Sequence, residues 1–138
     1  MGIAIPVQVK AMLDGANFAH LATLMPDGSP QSVPVWVGRD GERVVICTGE
    51  SSLKAKNTLR DPRIALSLVG HDNPYEEAQL RGRVVERRPD AQLKVLDALS
   101  LKYTGKPFPF RNPGQIALYV ELEKARYEKL PFEHTPAA

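Results

Sequence analysis

The sequence predicts a mainly β domain, an antiparallel barrel of about six strands with peripheral helices. Three observations predict it. Short β-rich runs recur along most of the chain, separated by turns rich in Pro, Asp and Gly. Beyond the N-terminal helix, amphipathic stretches interrupt these runs at two places only, after the third run and before the last. No Gly-rich strand-to-helix turn of the dinucleotide-binding type is present, which argues against a doubly wound sheet.

Each element follows from its own residues. Pro6 suits a first helical turn, and Val9, Met12 and Leu13 share one face, so a short helix runs to Ala16, with Gly15 and Asn17 at its end. Phe18 to Met25 is the first strand. Pro26-Asp27-Gly28-Ser29-Pro30 is a strong turn, because Pro fixes φ and Gly accepts positive φ. Gln31 to Val37 follows as a strand, Arg39 to Glu42 as a turn, and Arg43 to Thr48 as the third strand. Glu50 to Arg60 reads as a short helix with Ser51 or Ser52 at its start, stopped by Asp61-Pro62. Arg63 to Val69 and Glu77 to Arg87 are strands, with Gly82 marking a bulge or bend. From Pro89-Asp90 an amphipathic helix carries Leu93, Leu96, Leu99 and Leu101. Gly105, Pro107, Pro109 and Pro113 make the next stretch a loop. A last strand begins at Ile116 and continues towards Glu128, and the residues from about 131 read as a flexible tail.

The totals bound the function. A chain of 138 residues favours one domain, spanning 1–138, and can bury a core without staples. The formal net charge of +2 suits an anionic small ligand and does not call for nucleic acid. The single cysteine, Cys47, rules out an intrachain disulfide and reads as a small hydrophobe in a strand. No apolar stretch is long enough to span a membrane and no secretory layout opens the chain, so a cytoplasmic protein is expected. His20, His71 and His134 are too far apart to suggest a metal site, and no spacing suggests a nucleophilic triad.

One segment carries the chemistry. A strand ending in Thr48 is followed by Ser51, Ser52, a helix start, and then Lys54, Lys56 and Asn57. Helix N-termini present unpaired N–H groups and a positive dipole end, so they receive phosphate. The hydroxyls add neutral donors, Lys54 adds a compact charge, and Asn57 lies one turn beyond Lys54. On composition and spacing alone, a capped surface helix with solvated lysines explains the segment as well. Arg81, Arg83, Arg87 and Arg88 likewise form either a solvated strand face or an anion-binding edge, with Arg81 and Arg83 on one side.

The run from Thr48 to Pro62 resembles the phosphate-binding signature of the pyridoxamine 5′-phosphate oxidase-like superfamily: a strand ending in Thr, then Ser-x-Lys-x-x-x-Leu, then Asp/Asn-Pro. His20-Leu21-Ala22-Thr23-Leu24, the turn Pro26 to Pro30, and Val33-Pro34-Val35-Trp36 resemble the superfamily's first hairpin, and Leu80-Arg81-Gly82-Arg83-Val84 is similar to a later strand. The resemblance implies a split β-barrel. Within the superfamily the chain is most similar to the small flavin/deazaflavin oxidoreductase branch (FDOR-B-like) that uses coenzyme F420. The run Gln31 to Val37 lacks the arginine that helps hold FMN in the pyridoxamine phosphate oxidases, and Arg126-Tyr127-Glu128 lacks the histidine of their Arg-x-His segment.

The resemblance implies the following. Thr48, Ser51, Ser52, Lys54, Lys56 and Asn57 surround a cofactor phosphate, and Pro34, Val35 and Trp36 lie beside the ring. Two copies form a homodimer with both sites at the interface, Tyr75 being a candidate contact from the partner. Arg81 and Arg83 meet the acidic tail of the deazaflavin. The activity implied is hydride transfer between coenzyme F420 and a small organic substrate, reductase rather than oxidase, with no residue assigned as catalytic and no metal. The alternatives are an FMN-dependent reductase or oxidase on the same fold, and a carrier that binds the cofactor without turnover.

Overall fold

The structure, a computed structural model, describes residues 2–138. Helix α1 (Val7–Asp14) precedes the strands β1 (Ala19–Leu24), β2 (Pro30–Val35), β3 (Gly38–Asp40) and β4 (Arg43–Gly49). Helix α2 (Leu53–Arg60) follows, then β5 (Arg63–Val69), β6 (Glu76–Pro89), α3 (Lys94–Thr104) and β7 (Gln115–Lys129). All the strand pairs are antiparallel, and they form one sheet in the order β2-β1-β5-β6-β7-β4-β3.

The sheet has seven strands rather than about six, because the run expected at Gln31 to Val37 breaks in two. β2 pairs with β1, whereas β3 pairs with β4 at the opposite end of the sheet. Chain neighbours thus form the sheet's two edges, and the split lies at Trp36 and Val37. There the backbone finds partners outside the ladder. The Val37 N–H donates to Tyr103 Oη (3.1 Å), and the Val37 carbonyl accepts from Lys102 Nζ. Side chains of α3 therefore satisfy the groups that a strand neighbour otherwise would. Among the described residues no strand pair closes the sheet into a complete barrel.

Period-two alternation sends Leu21, Ile46, Leu66, Leu68, Leu80, Val120 and Leu122 into one core, with Val9 and Leu13 of α1 packed against them. Ala55 of α2 packs on Ile116 and Leu118. A smaller outer cluster of Val45, Ala117 and Tyr119 lies beneath Val95 of α3.

Geometry requires a glycine at the first hairpin turn and at the bulge of β6. Gly28 has φ +85° in the β1–β2 turn. At Gly82 the β6–β7 register shifts, and a Cβ there would sit on the Glu121 carbonyl oxygen. Leu101, expected on the inner face of α3, is exposed, and Leu93 precedes the helix as its left-handed N-cap (φ 58°) rather than lying inside it. After Lys129 no regular element forms, and Phe132 and His134 pack edge-on against Tyr75 (5.4 and 6.0 Å).

Candidate functional site

The segment between β4 and α2 folds as its residues dictate. Ser52 is the N-cap of α2: its Oγ accepts from the Ala55 N–H (3.2 Å) and lies 2.7 Å from Thr48 Oγ1. The helix begins two residues after Ser51, which is exposed. The cap and strand end fix the first turn of α2 against a cavity of about 400 Å³.

Five of the residues expected at the site line this cavity together: Pro34, Val35, Trp36, Thr48 and Lys54. The other four do not. Ser51 and Lys56 are exposed away from it, and Ser52 acts as the cap. Asn57 points the other way. It is 1% exposed, its Nδ2 donates to Thr23 Oγ1 (3.0 Å) and reaches the Met25 sulfur (3.5 Å), and its Oδ1 accepts from Arg60 (3.1 Å). Spacing placed it one turn beyond Lys54, but a three-residue step on a helix turns the side chain enough to face β1 instead. Its amide anchors the helix.

Lys54 is the charged group of the cavity. It is half-buried, and burial alone holds its pKa below the ordinary lysine value. Among the described residues no carboxylate pairs with it, whereas Lys10, Arg39, Arg43 and Arg63 all have carboxylate partners. A partly dehydrated ammonium without a counter-charge has the chemistry to attract an anion.

The remaining wall is apolar and aromatic. Tyr103 stacks on the indole of Trp36 (5.4 Å, 9°), and Phe108 meets it edge-on (6.1 Å, 86°). A ligand ring in the cavity therefore meets the remaining face or edge of Trp36. Phe18, Leu96, Leu99 and Phe108 also line the space, together with Cys47 and Gln115. None of these six was expected at the site from the sequence; Phe108, an aromatic among prolines and glycines, is the one with a local signal. Burial, with a smaller effect from Asp90, pushes the Cys47 thiol up to about 12, so it stays protonated and is no nucleophile.

Elsewhere, Arg81 and Lys124 face each other across β6 and β7 beside an outer hollow of about 770 Å³, without carboxylate partners among the described residues. Arg83 reaches Glu123 (3.6 Å) and Arg126 reaches Glu128 (3.8 Å). Among the described residues no cluster of His, Cys, Asp or Glu could hold a metal, and no helix is long and apolar enough to cross a membrane.

A capped helix start and a half-buried lysine thus meet at an apolar cavity in an open antiparallel sheet. A family model described as pyridoxamine 5′-phosphate oxidase matches residues 5–129, and the chain belongs to that family. No curated protein matches it. A solved structure described as an F420 reductase is 26% identical, with a TM-score of 0.80 over 88% of this chain and 98% of that one. A conserved hypothetical protein of Mycobacterium tuberculosis is 20% identical, with a TM-score of 0.78 over 99% of this chain and 95% of its own. General stress protein 26 of Bacillus anthracis is 15% identical, with a TM-score of 0.67 over 88% and 91%. The fold is that of the pyridoxamine 5′-phosphate oxidase-like split barrel, and the family makes this a flavin-type oxidoreductase.

Proposed function

We propose that the protein is a coenzyme F420-dependent reductase acting on a small organic substrate. The observation that carries this reading is Lys54, a half-buried ammonium with no carboxylate partner at the cavity lined by Trp36 and Thr48. The likeness to an F420 reductase adds support.

The residues present fit such a group. Lys54 and the first turn of α2 offer charge and N–H donors to a phosphate. Thr48 and Ser52 place two hydroxyls beside that turn; one donates to the other, which leaves one proton to turn outward. Pro34, Val35 and Trp36 give the ring an apolar bed. A cavity of about 400 Å³ suits a fused ring system and part of its side chain. The rest of the cofactor lies outside it, under the wall that a second copy supplies in a homodimer, with Arg81 and Lys124 offering charge to the acidic tail. When bound, a deazaflavin supplies a two-electron hydride carrier that reacts slowly with oxygen, which favours reductase over oxidase. Phe18, Leu96, Leu99 and Phe108 exclude water from the reacting face. No side chain in the cavity is placed as a nucleophile. Cytoplasmic placement, with Cys47 reduced, belongs to the same reading.

FMN is the second reading, favoured by the family model. Titration of the purified protein with coenzyme F420 and with FMN separates the two. The expected result is tighter binding of F420 and slow oxidation of its reduced form until a substrate from a panel of conjugated acceptors is added. Tight FMN binding without F420 binding overturns the proposal, and F420 binding without turnover of any acceptor leaves a carrier.

A further inference from the structure

Arg87 lies on β6 and is not part of the cavity lining. Its neighbours in sequence and space are ion-paired: Arg88 with Glu86, and Arg43 with Glu86 and Glu121. Arg87 has no carboxylate partner among the described residues. Its donors go to the backbone and hydroxyl side of α2 instead. Nη1 donates to Thr58 Oγ1 (3.1 Å) and Nη2 to the Ala55 carbonyl (3.0 Å). Thr58 Oγ1 in turn donates to the Lys54 carbonyl (2.7 Å). The guanidinium thus holds the first turn of the helix at Ala55 and, through Thr58, reaches the carbonyl of Lys54, whose side chain lines the cavity. It is half-buried, and its planar fork fixes direction as well as distance.

Resting on the phosphate-site reading above, we infer that Arg87 is a positioning residue that sets the placement of the Lys54 ammonium through the backbone of α2. The second anchor of the helix, Asn57, holds the opposite flank against β1. With both in place, the turn that carries Lys54 has little freedom to tilt. Without Arg87, the helix keeps its core contact through Ala55 and the Thr58 bond to the Lys54 carbonyl, but loses the β6 bonds to the Ala55 carbonyl and to Thr58 Oγ1.

The test is a double-mutant cycle on ligand affinity. Coenzyme F420 and FMN are titrated against wild type, Arg87→Met, Lys54→Ala and the double variant, with thermal midpoints recorded in parallel. Arg88→Met, which alters a paired surface arginine, is the control. The expected result is an affinity loss of about tenfold for Arg87→Met, close to the worth of one charged hydrogen bond. That loss largely vanishes in the Lys54→Ala background, because a cycle reports coupling between residues that act as a unit. Arg87→Lys restores part of the affinity, and Arg88→Met changes none. An equal loss in both backgrounds, or wild-type affinity in folded Arg87→Met, overturns the inference. If Arg87→Met does not fold, Thr58→Val takes its place, with a smaller loss and the same dependence on Lys54. A wild-type protein that binds neither ligand overturns the phosphate-site reading itself, and this inference with it.

Discussion

Helices α2 and α3 both border the cavity, but they are held in different ways. α2 is locked from three sides: Ala55 lies in the core, the Asn57 amide bonds β1, and Arg87 bonds from β6. α3 stands between two hollows, of about 400 and 560 Å³, and Leu99 lines both. Side-chain bonds to backbone hold it. Asp90 accepts from the N–H groups of Val95 and Leu96, and Tyr103 Oη donates to the Asn17 carbonyl (2.6 Å). Lys102 Nζ donates to the Leu13 carbonyl (2.8 Å). Left-handed residues flank the helix, Leu93 at φ 58° and Gly105 at φ 76°. The difference teaches a division of labour. The Lys54 end of the cavity is built on an element locked from three sides, while the aromatic wall rests on one held by polar bonds and by the buried Leu96 and Leu99.

The largest expected break of this contrast is at Asn57. Asn57→Ala removes a buried amide that joins Thr23, Met25 and Arg60, so stability should fall by about 2–4 kcal/mol in chemical denaturation. A loss well below ~1 kcal/mol would show that α2 is not locked through this amide. At α3 the corresponding change is smaller. Tyr103→Phe removes the hydroxyl that bridges Asn17 and Val37, and should cost about 1 kcal/mol. Hydrogen exchange should quicken at the amides of α3 and of Val37 while those of α2 keep their protection. Equal quickening in both helices would erase the distinction.

A pH series sharpens the account further. Burial lowers the Lys54 pKa below 10.5, so the folded free protein loses this proton at lower pH than the unfolded chain. In that alkaline window the unfolded state binds more protons, and stability from this group rises with pH. Lys102, lowered by burial in the same direction, adds to the rise. Cofactor affinity must move the opposite way, because a phosphate favours the charged ammonium. Affinity is expected to hold through neutral pH and to fall as pH rises through the lowered Lys54 pKa. Lys54→Arg should keep it flat, and an unchanged alkaline fall in that variant would place the titrating group elsewhere.

Much of this was legible in the sequence, for local reasons. The Pro-Asp-Gly turn, the alternation in β1 and β5, and the Asp61-Pro62 stop each depend on a few adjacent residues. The helix start at Ser52 was legible for the same reason. The split at Trp36 and Val37 was not, because the groups that replace the strand partner come from residues 102 and 103. Nor was Arg87: its side chain looked like one more charge on a basic strand, and only the packing of α2 on β6 shows where its donors go. Asn57 and Lys54 share a segment that resembles a phosphate-binding signature, yet pack in opposite senses. A pattern of residue types does not record which of them faces inward.

The central claim is that Lys54, fixed by α2 at the cavity, holds the cofactor phosphate. Its most direct test is the cofactor affinity of Lys54→Ala beside Lys56→Ala, in proteins with unchanged thermal midpoints. The account predicts a loss of roughly tenfold to a hundredfold for Lys54→Ala, the worth of a charged hydrogen bond, and less than about twofold for the exposed Lys56. Unchanged affinity in a folded Lys54→Ala protein would contradict it.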